Sequence, residues 1–365
     1  MIVTVDNNYK ALDEWLAGKN KVLLVCGNSI RFLEKFSKKL EQIKTPMVRF
    51  SDFQPNPLYE SVVKGVEVFR LEGCDAIFAV GGGSAMDVAK CIKLFSNMNG
   101  DGKNGEFLKQ DVVPNKIPFL AMPTTAGTGS EATRYAVIYY EGAKQSVTSE
   151  SFIPETVLMD PDALKTLPLY QKKVTMCDAL SHAIESFWSV NSTDISKEYS
   201  REAIAGIMEN LDGYLSNTED GNAGMLLAAY KAGQAINISQ TTAGHAMCYK
   251  ITSLFGSAHG HSAILCNRVL FPWMIENVDK CIDPRGQEYL MKTLDEIGAA
   301  LGGSGARSGA KRLNEIFDRL ELDVPAATAE QYEILKTSVN PVRLKNFPIA
   351  LDVKTIDKLY HDILR

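Results

Sequence analysis

Histidine is scarce in this sequence, cysteine is unpaired, and no long basic or apolar run occurs; each shortage removes a class of function. The seven cysteines, Cys26, Cys74, Cys91, Cys177, Cys248, Cys266 and Cys281, are odd in number, scattered, and show no C-x-x-C pairing. Reduced thiols in a cytoplasmic protein are the simplest expectation. The longest apolar runs, such as AIFAV, are far too short to span a bilayer, so no membrane partner is expected. The N-terminal stretch MIVTVDNNYKALDEW has no basic start followed by an apolar core, which argues against a secretory signal. With a formal net charge of −5 and no basic stretch able to neutralise a row of phosphates, nucleic acid is not expected as a partner either.

What is present is ordinary for a globular enzyme: 365 residues, 45% hydrophobic and 23% charged, enough for two domains with separate cores. The first 165 residues alternate short apolar runs with helical patterns, the mark of a parallel sheet flanked by helices. Strands are expected at Val22 to Val25, Met47 to Phe50, Ala76 to Val80 and Ile117 to Met122, and Pro57 is placed at a first helical position. From residue 166 to 365 the periodicity is helical, which predicts an all-α second domain. A homodimer is the default expectation for such an enzyme.

Two loops at the ends of expected strands invite a ligand. GGGSAMDVAKCIKLF, from Gly81 to Phe95, puts three glycines between a strand and a helix, where free N–H groups can meet a pyrophosphate; the same pattern also suits a plain tight turn. Asp87 reads as a first-turn acid that either complements the helix dipole or orders the loop. PTTAGTGSEATRYAV offers the hydroxyls of Thr124, Thr125, Thr128 and Ser130 at a strand's carboxyl end, where open parallel sheets bind ligands; a capped polar loop is the alternative.

Four of the five histidines fall between Val174 and Leu265. In VTMCDALSHAIESFW, Asp178 and His182 are four apart on a helical pattern and share one face. GHAMCYKITSLFGSAHGHSAIL supplies His245 and, fourteen residues on, His259, with Gly256 predicting a helix end between them. Three imidazoles and a carboxylate suit Fe²⁺, Zn²⁺ or another first-row divalent ion. A simple Asp–His helix pair is the alternative.

Together, GGGSAMDVAK, PTTAGTGSEAT, and DALSHAIE with the two later histidines resemble the iron-dependent, or group III, alcohol dehydrogenases over nearly the whole chain. The resemblance implies a nucleotide-binding α/β domain, residues 1–165, followed by a helical metal-binding and substrate domain, residues 166–365. It further implies a divalent metal, Fe²⁺ before Zn²⁺, held by Asp178, His182, His245 and His259. NAD(P)H is the implied cofactor, with Gly82, Gly83, Ser84 and Asp87 facing its pyrophosphate, Thr124, Thr125 and Thr128 its nicotinamide side, and Lys144 its nicotinamide ribose. The implied reaction interconverts a small aldehyde and a primary alcohol.

Two positions depart from the common family pattern. Tyr249 stands where many members have a histidine, and reads as either a proton relay or a pocket wall. Gly27 stands where NAD-specific members have an acid, so NADPH is admitted, with Ser29 and Arg31 close by. The Tyr249-Lys250 segment is most similar to a subgroup that reduces phosphonoacetaldehyde to 2-hydroxyethylphosphonate, making Lys250 and Arg134 the candidate anion-binding residues. Lys250 is about 140° round an ideal helix from His245, which leaves a solvated role equally open. Reduction of another small aldehyde, a dehydroquinate-synthase-type lyase, and a non-catalytic nucleotide- or metal-binding protein are the competing readings.

Overall fold

The computed structural model describes residues 2–339 and 341–365. It divides into two compact units, Met1–Leu167 with Asn217–Leu226, and Pro168–Ser216 with Leu227–Arg365. The division lies close to the boundary expected at 165, but the return of ten residues to the first unit is something a single cut in the sequence does not provide.

The first unit holds a six-stranded parallel sheet of β1 (Ile2–Val5), β2 (Val22–Cys26), β3 (Met47–Phe50), β4 (Ala76–Gly81), β5 (Phe119–Pro123) and β8 (Thr156–Met159). Its order is β1-β8-β5-β4-β2-β3. β6 (Tyr135–Tyr140) and β7 (Ala143–Thr148) form a separate antiparallel hairpin. The helices of this unit include α1 (Lys10–Leu16), α2 (Glu34–Gln42), α3 (Tyr59–Leu71) and α4 (Gly83–Phe95).

Every residue of β2 and β4 is buried, as expected of strands covered on both faces. The alternation divides their side chains cleanly. Leu23, Val25, Ile77 and Ala79 pack with Val62 and Val66 of α3 and Ile92 of α4, whereas Val22, Leu24 and Phe78 pack with Leu12 of α1 and Phe36 of α2. Burial of a ring such as Phe78, met edge-on by Phe36 at 5.9 Å, stabilises the unit by about 1.5–3 kcal/mol.

The chain runs from β2 out to β3 and then back past β2 to β4, so the topological switch lies between β2 and β4. Ligands in such sheets sit beyond the carboxyl ends at that point. α3 begins at Tyr59 and not at Pro57, because the Pro57 carbonyl is taken by the Tyr139 N–H at 2.9 Å.

The second unit is helical throughout its described residues: α5 (Leu169–Trp188), α6 (Asp194–Leu215), most of α7 (Glu219–Ser239), α8 (Ala243–Phe255), α9 (His259–Glu276), α10 (Gln287–Ala300), α11 (Ala306–Leu320), α12 (Ala329–Thr337), α13 (Pro341–Leu344) and α14 (Val353–Ile363). α5 is buried along most of its length, which explains why its apolar pattern runs around the whole helix. α6 starts at a Thr193–Ser196 capping box. α8 ends at Gly256, whose left-handed backbone (φ 66°) turns the chain into α9, as the glycine between the two ligand histidines predicts.

Candidate metal centre and nucleotide loops

Asp178, His182 and Glu185 follow one another along a single face of α5, His245 sits in the first turn of α8, and His259 is the first residue of α9. The Nε2 atoms of His182, His245 and His259 lie 3.8, 3.6 and 3.8 Å from one carboxylate oxygen, Asp178 Oδ1. These separations are too long for hydrogen bonds. Four donors about 2.1 Å from a common tetrahedral cation stand roughly 3.4 Å apart, and the three separations from Asp178 Oδ1 come close to that. One donor atom each from Asp178, His245 and His259 lies within 4.8 Å of the others, a tighter trio. His182 joins it through Asp178, its ring stacked on His245 at 4.6 Å.

Asp178 Oδ1 and His245 Nε2 are buried and make no hydrogen bond among the described residues. Orphaned atoms of that kind cost about 1–3 kcal/mol each unless something binds them. A divalent cation fits both the donor set and its two unsatisfied atoms. Burial alone would raise the Asp178 carboxyl, but the His182, His245 and His259 rings outweigh it and hold it well below the carboxylate range. His259 is the open side of the centre, 38% exposed against 2–8% for the other three ligands.

The approach of α9 to α5 depends on Gly260. A Cβ there would lie 2.0 Å from the Val174 carbonyl oxygen and 2.6 Å from Asp178 Cβ. Cys248 Sγ lies 3.7 Å from His259 Nδ1, on the far side of that ring from the donor nitrogen, which removes it as a ligand. His261 bonds the Asp323 carbonyl and the Tyr170 hydroxyl, a structural role.

Tyr249 stacks on His259 with ring centroids 5.5 Å apart. Burial raises its hydroxyl above the ordinary tyrosine range. Lys250 is half-buried, and its ammonium makes no hydrogen bond or ion pair among the described residues. The sequence reading missed Glu185, fully buried behind His245 with Oε1 2.5 Å from Nδ1. Its position seven residues after Asp178, on the same helix face, was the available signal. Burial would raise the Glu185 carboxyl, but the His245 ring and the hydrogen bonds it accepts bring it down to about 2.

In the first unit the β4 and β5 loops interlock. The Thr124 N–H donates to the Gly81 carbonyl at 3.0 Å, Gly82 lies against Thr125, and Gly83 against Thr128, whose Cγ2 would be 3.0 Å from a Cβ. Between residues 123 and 133 only Thr124, Thr125 and Thr128 are not buried, and on the β4 side Gly82, Gly83 and Ser84 are open at the start of α4. These are the residues assigned to a dinucleotide, gathered at the carboxyl ends of adjacent strands.

Asp87 is the fifth residue of α4, so it lies beyond the first turn where the sequence had placed it. It orders the loop, accepting from Ser130 Oγ at 2.9 Å and from the Val137 N–H at 3.1 Å. Ser130 is thereby committed to the protein. Lys90, unremarked in the sequence, is fully buried and donates to oxygens of Ser130, Thr133 and Tyr135 at 2.6–3.1 Å. Lys144 lies exposed on β7 opposite Tyr139, and its charge bears on Asp87. Arg134 pairs with Glu150 at 2.8 Å and lies over the Tyr135 ring.

Models of the iron-containing alcohol dehydrogenase family match residues 1–161, and of its C-terminal part residues 173–361. The chain belongs to the iron-containing alcohol dehydrogenases. It is 30% identical to a phosphonoacetaldehyde reductase of Streptomyces viridochromogenes over 305 residues, 78% of this chain and 77% of that one. It is 33% identical to an NAD-dependent methanol dehydrogenase of Bacillus methanolicus over 262 residues, 70% of this chain and 68% of the other.

Among solved structures, the fold is shared with a sulfoacetaldehyde reductase of Bifidobacterium kashiwanohense in complex with NAD+ (TM-score 0.87, 24% identity, covering 100% of this chain and 96% of that one). As an iron-containing alcohol dehydrogenase the protein is an oxidoreductase. No helix among its described residues is long and apolar enough to cross a membrane.

Proposed function

We propose that this chain interconverts a small aldehyde and its primary alcohol, using NAD(P)H and a divalent cation, Fe²⁺ before Zn²⁺, held by Asp178, His182, His245 and His259. The observation that carries the reading is the gathering of three imidazole Nε2 atoms around Asp178 Oδ1, two of the four atoms being buried without a hydrogen bond among the described residues. When bound, the cation supplies Lewis acidity at a carbonyl or alcohol oxygen, and the nicotinamide exchanges hydride with the adjoining carbon.

The chain's own groups do the rest. Gly82, Gly83 and Ser84 offer backbone N–H groups at the start of α4 to a pyrophosphate. Thr124, Thr125 and Thr128 are the open hydroxyls beside them, and Lys144 is the cation for the nicotinamide ribose. Burial raises the Tyr249 hydroxyl, which suits a hydrogen-bond donor beside His259. At the end of β2, where Gly27 has no carboxylate, Arg49 donates to the Gly27 carbonyl at 3.1 Å. A guanidinium there suits the 2′-phosphate of NADPH, which we place beside NADH as a cofactor.

For the substrate we favour phosphonoacetaldehyde, reduced to 2-hydroxyethylphosphonate. The identity to a reductase of that aldehyde supports this, as does the half-buried Lys250 ammonium beside Tyr249, which has no partner among the described residues. Arg134 is the second candidate cation, although its pair with Glu150 ties it down. A plain or carboxylated aldehyde is the other reading, favoured by the methanol dehydrogenase relative.

The test loads the protein with Fe²⁺ or Zn²⁺ and follows nicotinamide absorbance over phosphonoacetaldehyde, acetaldehyde, butyraldehyde and succinic semialdehyde. Turnover of none of them overturns the oxidoreductase chemistry proposed here. Lys250→Ala and Arg134→Ala should lower turnover of the phosphonate aldehyde more than that of the plain ones; equal losses overturn the phosphonate assignment alone.

A further inference from the structure

Glu185 accepts five hydrogen bonds in the interior of the second unit. Its Oε2 takes the Thr242 N–H (2.7 Å), the Thr242 hydroxyl (2.9 Å) and the His245 N–H (3.2 Å). Its Oε1 takes Asn267 Nδ2 (3.0 Å) and faces His245 Nδ1 (2.5 Å). The proton positions can be read from the donors themselves. Backbone and amide N–H groups only donate, and the Trp188 indole N–H donates to Thr242 Oγ1 at 2.8 Å, which turns the threonine's own proton towards Glu185. With every other neighbour donating, the carboxylate is an acceptor all round, and His245 Nδ1 carries the remaining proton. Nε2, on the Asp178 side of the ring, is then the nitrogen a cation would take.

Two further features belong to the same device. Oε2 takes the N–H of Thr242, the residue before α8, and that of His245 in its first turn, so the acid caps the helix that carries His245 and also complements its dipole. Gly244 leaves room for it: a Cβ there would lie 2.5 Å from Glu185 Oε1 and 2.2 Å from Asn267 Oδ1. The acid therefore fixes both where the ring stands and which nitrogen is free.

We propose that Glu185 is a positioning residue that locks His245 in its Nδ1-protonated form and thereby sets the affinity of the centre for its divalent cation. The inference rests on the metal reading above. Partners of this kind raise ligand basicity, and their loss typically lowers metal affinity 10–100-fold.

The experiment measures Zn²⁺ and Co²⁺ affinity of the full chain by chelator competition, with the Co²⁺ visible spectrum as a second signal, in wild type, Glu185→Gln and Glu185→Asp. In the Gln variant one end of the side chain becomes an NH₂ facing donors. The expected result is a loss of affinity of about ten- to a hundredfold and a changed Co²⁺ spectrum, with partial recovery in the Asp variant. In parallel, the Zn²⁺-loaded wild type with ¹⁵N-labelled histidine should show one slowly exchanging imidazole Nδ1 proton shifted far downfield, tractable among five histidines.

Wild-type affinity in Glu185→Gln, or a wild-type spectrum without that proton, overturns the proposal while leaving the metal reading intact. Failure of the wild type to bind either ion overturns both. If the Gln variant does not fold, the wild-type spectrum decides alone.

Discussion

At the proposed metal centre the donor atoms belong to side chains, three imidazoles and a carboxylate brought from α5, α8 and α9. On the β4 and β5 loops of the first unit, the proposed nucleotide site, they belong to backbone, at Gly82, Gly83 and Ser84, and the charged side chains stand behind. Asp178 Oδ1 and His245 Nε2 are buried without hydrogen bonds among the described residues. Lys90, by contrast, is surrounded by acceptors from Ser130, Thr133 and Tyr135, and Asp87 by donors from Ser130 and Val137. Unsatisfied buried polarity marks a place that binds; satisfied buried polarity marks a place that holds its neighbour in shape.

The largest expected effect tests the unsatisfied side. Asp178→Ala should weaken Zn²⁺ binding about a thousandfold in chelator competition, because one ligand of four carries a comparable share of the binding free energy; retained affinity would make the four residues an ordinary polar cluster. On the satisfied side, Lys90→Met strands several acceptor oxygens and should lower stability by about 3 kcal/mol in urea titration, with weaker nucleotide binding and unchanged Zn²⁺ affinity. Were Lys90→Met neutral to folding, the distinction between holding and binding would break.

A pH prediction sharpens the same side. Burial pushes the Glu131 carboxyl up from 4.5 to about 7, against a backbone hydrogen bond and the Lys90 charge. The folded state therefore holds a proton that the unfolded chain has lost, so stability should fall as pH rises from 4.5 through 7, by about 3 kcal/mol across the window. Glu131→Gln should flatten that slope.

Smaller effects follow. Gly260→Ala drives a methyl into the Val174 carbonyl and Asp178, and should cost about 2 kcal/mol with a drop of about tenfold in Zn²⁺ affinity. Arg49→Ala should lower NADPH binding about tenfold relative to NADH, read by fluorescence titration, if the guanidinium meets a 2′-phosphate.

The sequence and the structure agree best where periodicity and residue type coincide. The central strands were legible because they are buried on both faces and read as unbroken apolar runs. The gathering of Asp178, His182, His245 and His259 was legible because histidine is scarce and two of the positions share a helix face. The β6–β7 hairpin was missed because Tyr135–Tyr140 runs on from a polar loop without an apolar boundary.

Lys90 was missed because a lysine in MDVAKCI reads as a solvated position, and only the returning loop supplies the oxygens that bury it. Glu185 was missed for a related reason: its partners come from Thr242, His245 and Asn267, far along the chain. For Asp87 the sequence admits either the helix dipole or the ordering of the loop, and hydrogen bonds from Ser130 and Val137 decide for the loop.

One consequence of the ten-residue return concerns how the protein can be taken apart. Because Asn217–Leu226 group with the first unit, the chain crosses between the units at three points along its length. Asn222, wholly buried, reaches the Pro161 carbonyl, and Asn217 that of Lys165. A fragment stopping at Leu167 would leave those carbonyls without their amide donors, so the first unit is not a detachable cassette, and grafting it onto another scaffold means carrying the start of α7 along with it.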